Sequence, residues 1–117
     1  MDNDSLINLS KRINKYVNAR DWEQFHTPKN LIMAISGEVG ELNSLVQWEN
    51  NSRIFSDMTL RFEKMPYEMA DILIYLIRLA DQLEIDLIEA ANMKINTIDK
   101  RYPVDQFKGL ADKSDIK

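Results

Sequence analysis

The chain of 117 residues is long enough for one domain with its own core, since 44% of its residues are hydrophobic. It contains no cysteine, which excludes a disulfide scaffold, a thiolate zinc site and a cysteine nucleophile. The net charge of −4 disfavours a protein that coats a nucleic acid polymer, because that task needs a surplus of cations facing phosphate. We predict a single domain over residues 1–104 and a flexible tail, rich in lysine and aspartate, over residues 105–117.

The amino-terminal stretch is polar and acidic, unlike the apolar segment of a secretory signal. No uncharged run approaches the roughly 20 residues that a membrane span requires. We therefore expect a cytoplasmic protein that does not associate with a membrane.

Apolar residues recur at intervals of three and four along nearly the whole chain, which predicts an all-α fold. The first helix is predicted over residues 4–18, with Asp4 as its cap. Thr27 and Pro28 indicate the start of a second helix over residues 28–48. A threonine hydroxyl can accept a hydrogen bond from a free backbone N–H group, and a proline at the first helical position loses no hydrogen bond.

A polar connection with a short helical turn is predicted over residues 49–60. A proline then restarts the chain as a third helix over residues 66–83. Asp86 and Glu89 form a capping box that opens a fourth helix, which ends at Pro103. Four amphipathic helices joined by short connections predict a four-helix bundle.

Two pairs of acids, Glu38 with Glu41 and Glu68 with Asp71, differ from the other acidic residues. The members of each pair are three residues apart and share a helix face, and each pair lies in a long segment without lysine or arginine. Carboxylates that leave water unpaired need a compensating positive charge. A divalent metal would supply that charge. Alternatively, the acids are solvated faces of surface helices.

The available ligands favour Mg²⁺, with Mn²⁺ as the second candidate. Iron and zinc are disfavoured because the single histidine, His26, lies in a loop far in sequence from both acidic pairs. Mg²⁺ prefers oxygen ligands and commonly bridges carboxylates to substrate phosphates. The acids therefore predict a site for Mg²⁺ and a polyphosphate.

Several motifs then resemble, in their order along the chain, the MazG-like all-α nucleoside triphosphate pyrophosphohydrolases. They are EVGEL at 38–42, ExxD within residues 68–81 and KRYPV at 100–104. The segments RDWEQFH at 20–26 and PKN at 28–30 are similar to the dCTP pyrophosphatase branch of that family. The resemblance implies a helical bundle that assembles as a homodimer or homotetramer, and the reaction NTP + H₂O → NMP + PPi.

The resemblance also implies roles for individual residues. The metal ligands would be Glu38, Glu41, Glu68 and Asp71. Either Glu38 or Glu41 would take a proton from the attacking water, and Glu41 is favoured. The base and sugar pocket would contain Trp22, Phe25, His26 and Trp48. Phosphates or sugar would contact Lys29, Asn30, Tyr75, Lys94 and Arg101.

The sequence departs from the family pattern at two positions. Lys29 stands where the branch often has arginine, which keeps the charge but loses the planar fork. Ile98 stands where the family often has asparagine, and Asn96 lies two residues earlier. The substrate is expected to be dCTP or a modified dCTP. The alternatives are a dUTP-preferring or broad housecleaning hydrolase and a non-catalytic helical adaptor.

Overall fold

A computed structural model describes residues 5–110 of the chain. These residues contain helices and no strand, which confirms the predicted all-α class. No helix among them is both long and apolar enough to cross a membrane. The α-helices are α1 (Leu6–Ala19), α2 (Pro28–Val46), α3 (Asn51–Ser56), α4 (Met65–Gln82), α5 (Leu87–Arg101) and α6 (Val104–Phe107).

Two predicted helix starts are confirmed by their caps. The Thr27 hydroxyl accepts a hydrogen bond from the backbone N–H of Asn30 at 3.2 Å, at the start of α2. The Asp86 carboxylate accepts from the backbone N–H of Glu89 at 3.0 Å, at the start of α5. Each cap satisfies an N–H group that has no partner inside its own helix, so these short polar signals define where the helices begin.

The cap of α1 is Ser5, whose hydroxyl accepts a hydrogen bond from the backbone N–H of Asn8 at 3.1 Å. The predicted cap, Asp4, lies outside the described residues. At its other end α1 closes with Asp21 in the left-handed region, at φ 54°. The backbone N–H of Trp22 then donates to the carbonyl of Val17 at 3.1 Å. This arrangement satisfies a terminal carbonyl and turns the chain towards the 3₁₀ turn Glu23–Phe25.

The predicted third helix corresponds to α4, but it does not restart at Pro66. A π-helical turn, Leu60–Lys64, runs directly into α4, and the backbone at Lys64 is helical (φ −73°, ψ −47°). A proline inside a regular helix removes one hydrogen bond, and its ring clashes with a carbonyl of the preceding turn. The wider turn changes the hydrogen-bond register just before the proline, which allows helical backbone to continue through it. The connection predicted over 49–60 also contains α3.

The chain divides into two compact units between Ile85 and Asp86. In the first unit α2 packs along α4, and α1 also packs on α4. Its buried apolar side chains are Ile13, Val17, Leu31, Leu60, Ile77 and Ala80. They come from α1, α2, α4 and the π-helical turn, so this core holds together the elements that carry both acidic pairs.

The second unit contains α5 and α6. The rings of Tyr102 and Phe107 meet edge to face, with centroids 5.3 Å apart. Helix α6 includes residues 105–107, the start of the segment predicted as a tail. Residues 111–117 of that segment lie outside the described residues. The single domain over 1–104 stays a prediction.

Candidate active site

Three carboxylates from two helices converge in the first unit. Glu38 projects from α2, and Glu68 and Asp71 project from α4, three residues apart. One oxygen from each lies within 4.8 Å of the others, and all three residues are half-buried. We call these three residues the acid cluster. Packing of α2 along α4 brings them together, which the sequence spacing within each helix does not specify.

The electrostatics of the acid cluster disfavour three negative charges at once. The pKa of Glu38 is raised, first by desolvation, then by a hydrogen bond with Glu68, and further by repulsion from Asp71, Glu68 and Glu41. No ion pair to these acids occurs within residues 5–110. A divalent cation would remove this repulsion, and the donors present are the hard carboxylate oxygens that Mg²⁺ and Mn²⁺ accept.

Glu41 stands apart from the acid cluster. It lies three residues beyond Glu38 on α2, and it is exposed. Its charge is close enough to contribute to the raised pKa of Glu38, but its oxygens do not join the group within 4.8 Å. The structure thus brings together three of the four predicted metal ligands.

A pocket of about 560 Å³ lies beside the acid cluster, since Asp71 is also part of its wall. Three predicted substrate residues line it: Trp22, His26 and Tyr75. The ring of Trp22 meets that of Tyr16 edge to face, with centroids 5.7 Å apart. The pocket therefore presents aromatic faces at one part of its wall and a carboxylate of the acid cluster at another.

Arg78 is the buried polar residue of this wall, with 3% of its surface exposed. Its Nε donates to Nδ1 of His26 at 3.2 Å. Its Nη1 donates to Asn14 at 2.7 Å and to Asp81 at 3.1 Å. Its Nη2 is buried without a hydrogen-bond partner among the described residues. The pKa of His26 is lowered, first by burial and then by the positive charge of Arg78.

Four other predicted substrate residues do not line this pocket. Asn30 uses its side-chain amide locally, since Nδ2 donates to the Phe25 carbonyl at 3.0 Å and so braces the loop before α2. Lys29 and Phe25 are exposed, and Trp48 is 88% exposed just after the end of α2. Their predicted contacts with a nucleotide stay predictions.

Lys94 and Arg101 belong to the second unit. Both are exposed on α5, and Arg101 is its last residue. Asn96 and Ile98 lie between them on the same helix, and both are also exposed. The predicted contacts of Lys94 and Arg101 with phosphate or sugar stay predictions.

Three polar residues of the pocket wall were not predicted as site residues: Arg12, Tyr16 and Arg78. A signal for Arg78 was present, because it follows Asp71 by seven residues and Tyr75 by three, which puts all three on one face of α4. Arg12 and Tyr16 are four residues apart on α1, beside its apolar stripe. That spacing marks a helix face but does not distinguish a pocket wall from an ordinary surface.

Comparison with known proteins identifies the family. Residues 33–115 match the sequence model of the MazG-like family. The chain belongs to that family. Over 94 residues, 79% of the chain, it is 43% identical to dCTP pyrophosphatase 1 of Mus musculus and 44% identical to that of Bos taurus. The resemblance inferred from the motifs is thereby confirmed.

The matched residues cover 55% and 56% of those two relatives, so the chain spans about half the length of the curated proteins that it matches. The fold of this MazG-like chain is also similar to the crystal structure of a pyrophosphatase from Archaeoglobus fulgidus. That match has a TM-score of 0.78 and 36% identity, and it covers 84% of this chain and 92% of the other.

Proposed function

We propose that this protein hydrolyses a nucleoside triphosphate, with dCTP or a modified dCTP as the favoured substrate, to the monophosphate and pyrophosphate. The observation that carries the proposal is the position of Asp71, which belongs both to the acid cluster and to the wall of the aromatic pocket. A nucleotide whose phosphates are held at the acid cluster could place its base in the neighbouring pocket. The names of the similar proteins, dCTP pyrophosphatase 1 and a pyrophosphatase, support this reading.

We propose Mg²⁺ as the metal, with Mn²⁺ as the alternative. Glu38, Glu68 and Asp71 would hold it, and Glu41 lies close enough to act on Glu38 through its charge. When bound, the metal supplies positive charge that offsets the charge accumulating on phosphate oxygens during hydrolysis. The raised pKa of Glu38 supports this assignment, because it reflects desolvation of the carboxylate and then repulsion from the neighbouring acids, and a cation would offset both.

Glu41 is the acid that we propose as the general base. It is exposed and lies outside the acid cluster, so a carboxylate oxygen is available to take a proton from water. The water oxygen forms a bond to the α-phosphorus as the bond from that phosphorus to its bridging oxygen breaks, and pyrophosphate leaves.

Trp22 and Tyr16 offer faces on which a base can stack. Lys29 is the cation of the first unit that we propose to contact phosphate.

A substrate panel tests the proposal. The purified protein is incubated with Mg²⁺ and each of dCTP, 5-methyl-dCTP, dUTP, dTTP, dATP and dGTP, and released pyrophosphate is measured. We expect the fastest release from one of the two cytosine nucleotides. Faster release from dUTP, or equal release from all six, would instead support the housecleaning alternatives. If no pyrophosphate is released with either Mg²⁺ or Mn²⁺, the result would support the non-catalytic helical adaptor.

We further propose that the protein assembles as a homodimer or homotetramer. Large apolar side chains remain exposed on the first unit, among them Met33, Phe62 and Tyr67, at 60% or more of their surface. Apolar surface on this scale is typical of protein interfaces. Location in the cytoplasm stays a prediction.

A further inference from the structure

Arg78 holds the His26 ring through one of its two nitrogens. The Nε–H of Arg78 donates to Nδ1 of His26 at 3.2 Å. An imidazole nitrogen that accepts a hydrogen bond carries no proton, so the proton of neutral His26 lies on Nε2. The pKa of His26 is lowered by burial and by the charge of Arg78, which keeps the ring neutral near pH 7. The geometry therefore selects one of the two tautomers.

The guanidinium that makes this selection is itself held in place. Nη1 donates to Asn14 on α1 and to Asp81 on α4, so both helices orient it. Nη2 is buried without a partner in the described part of the chain. A buried donor without a partner reduces stability, so stability alone does not explain an arginine at this position. Its placement in the pocket wall points to a role towards a ligand.

The nitrogen of His26 that remains for a ligand is Nε2. No described residue forms a hydrogen bond with it, and it is not among the buried unpartnered atoms. The ring lines the same pocket as Tyr16 and Trp22, whose edge-to-face pair provides aromatic surface for a base. A base that stacks in this pocket would place its polar edge within reach of the pocket's hydrogen-bonding groups.

We propose that Arg78 is a positioning residue that fixes His26 as the Nε2–H tautomer, so that the pocket presents a hydrogen-bond donor to a carbonyl oxygen of a pyrimidine base. This assignment rests on the proposed function, since it names what the nucleotide pocket recognises. The Nε2–H of His26 favours a base that places a carbonyl oxygen against it. It disfavours a base that places an N–H group at the same position, because two donors would then face each other and both would stay unpaired.

The tautomer can be measured directly because His26 is the single histidine of the chain. Protein labelled with ¹⁵N-histidine gives one pair of ring nitrogen signals. We expect Nδ1 to resonate as an unprotonated nitrogen and Nε2 as a protonated one. Adding Mg²⁺ with a dCTP analogue that carries a methylene bridge between its α- and β-phosphates should shift the Nε2 signal. Deoxyribose 5-triphosphate, which has no base, should not. An equal shift with the baseless compound would mean that the sugar is contacted, and would overturn the proposal.

Three variants separate the hydrogen bond from charge and folding. Arg78→Met keeps a long apolar side chain but removes every donor, and Arg78→Lys keeps the charge without Nε. In Arg78→Met we expect the two tautomers to be populated and the KM for dCTP to rise about five- to tenfold, with kcat within twofold, as for the loss of one hydrogen bond. Arg78→Lys should give a smaller change than Arg78→Met, because its Nζ can still donate to Nδ1. Asp81→Asn removes the negative charge beside Arg78 but keeps a side-chain oxygen that can accept from Nη1, so the guanidinium stays oriented towards His26, and the tautomer and KM should match the wild type. Helical circular dichroism checks folding in each variant.

A protonated Nδ1 in the wild type would overturn the proposal, as would an Arg78→Met variant that is folded and has an unchanged tautomer and KM. Failure of the proposed function gives a different result, because it means that no nucleotide releases pyrophosphate in the substrate panel. In that case the Nε2 signal still decides whether His26 donates to the base of the bound analogue, since neither the tautomer nor binding requires turnover.

Discussion

Substitution of Glu38 gives the most direct test of the proposed metal site. Glu38→Gln keeps the shape of the side chain and removes its charge, so the acid cluster loses one anionic ligand while its mutual repulsion falls. We expect turnover to drop by at least about 100-fold, because metal charge stabilisation is worth several kcal/mol. The helical circular dichroism and the free energy of unfolding without metal should not fall. The two readouts are pyrophosphate release and urea unfolding.

The matched control is Glu63→Gln, which removes an exposed acid of the π-helical turn that lies outside the acid cluster. Its turnover should stay within twofold of the wild type. A Glu38→Gln variant with full activity would contradict the assignment of the acid cluster as the metal site.

His26 gives a pH prediction at the same scale. Its pKa in the folded protein lies below the ordinary value of 6.5, so the unfolded chain binds more protons as the pH falls through 6.5. The contribution of His26 to the free energy of unfolding is therefore fully present above pH 6.5, and it is lost as the pH falls towards the lowered pKa. We expect an NMR titration of His26 to have its midpoint below 6.5 and to move upward in Arg78→Met. A midpoint above 6.5 in the wild type would contradict the described environment.

The end of α4 provides a prediction at the scale of an element. Glu84 lies in the left-handed region at φ 55°, and the backbone N–H of Ile85 donates to the carbonyl of Ala80 at 2.8 Å. Glycine adopts this backbone conformation without the steric cost of a side chain. We expect Glu84→Gly to raise the free energy of unfolding by about 0.5–1 kcal/mol in urea denaturation. Ala70→Gly, at an exposed right-handed position within α4, should lower it by about 1 kcal/mol. If both changes altered the free energy of unfolding equally, the left-handed backbone at Glu84 would not be the cause.

Helix starts could be read from the sequence because capping is local. Thr27 and Asp86 each accept from a backbone N–H three residues away, and no distant residue takes part. The junction at Pro66 was harder to predict. A proline is compatible both with a new helix and with the first turn of a continuing one, and the π-helical turn that permits continuation has no sequence signature of its own.

At the scale of the whole molecule, the buried core of the described residues is small relative to the exposed apolar surface. Leu31 is the large side chain that is most fully buried, at 1% exposure, whereas Trp48 is 88% exposed. We expect the protein to self-associate, because an interface would remove such side chains from water. Light scattering after size exclusion should give the mass of a dimer or tetramer, and the Tm should rise with protein concentration. A monomer at tens of micromolar, with a constant Tm, would contradict this expectation.

The sequence alone determined the all-α class and the starts of α2 and α5, and it set the members of each acidic pair three residues apart, because helical periodicity, capping and residue spacing act within a few residues. Only the tertiary structure decided that Glu38 meets Glu68 and Asp71 while Glu41 stays apart. It also decided that Arg78 contacts His26, 52 positions earlier in the chain. Such contacts depend on how α1, α2 and α4 pack, and packing reflects side-chain shape and burial across the whole core rather than any local pattern.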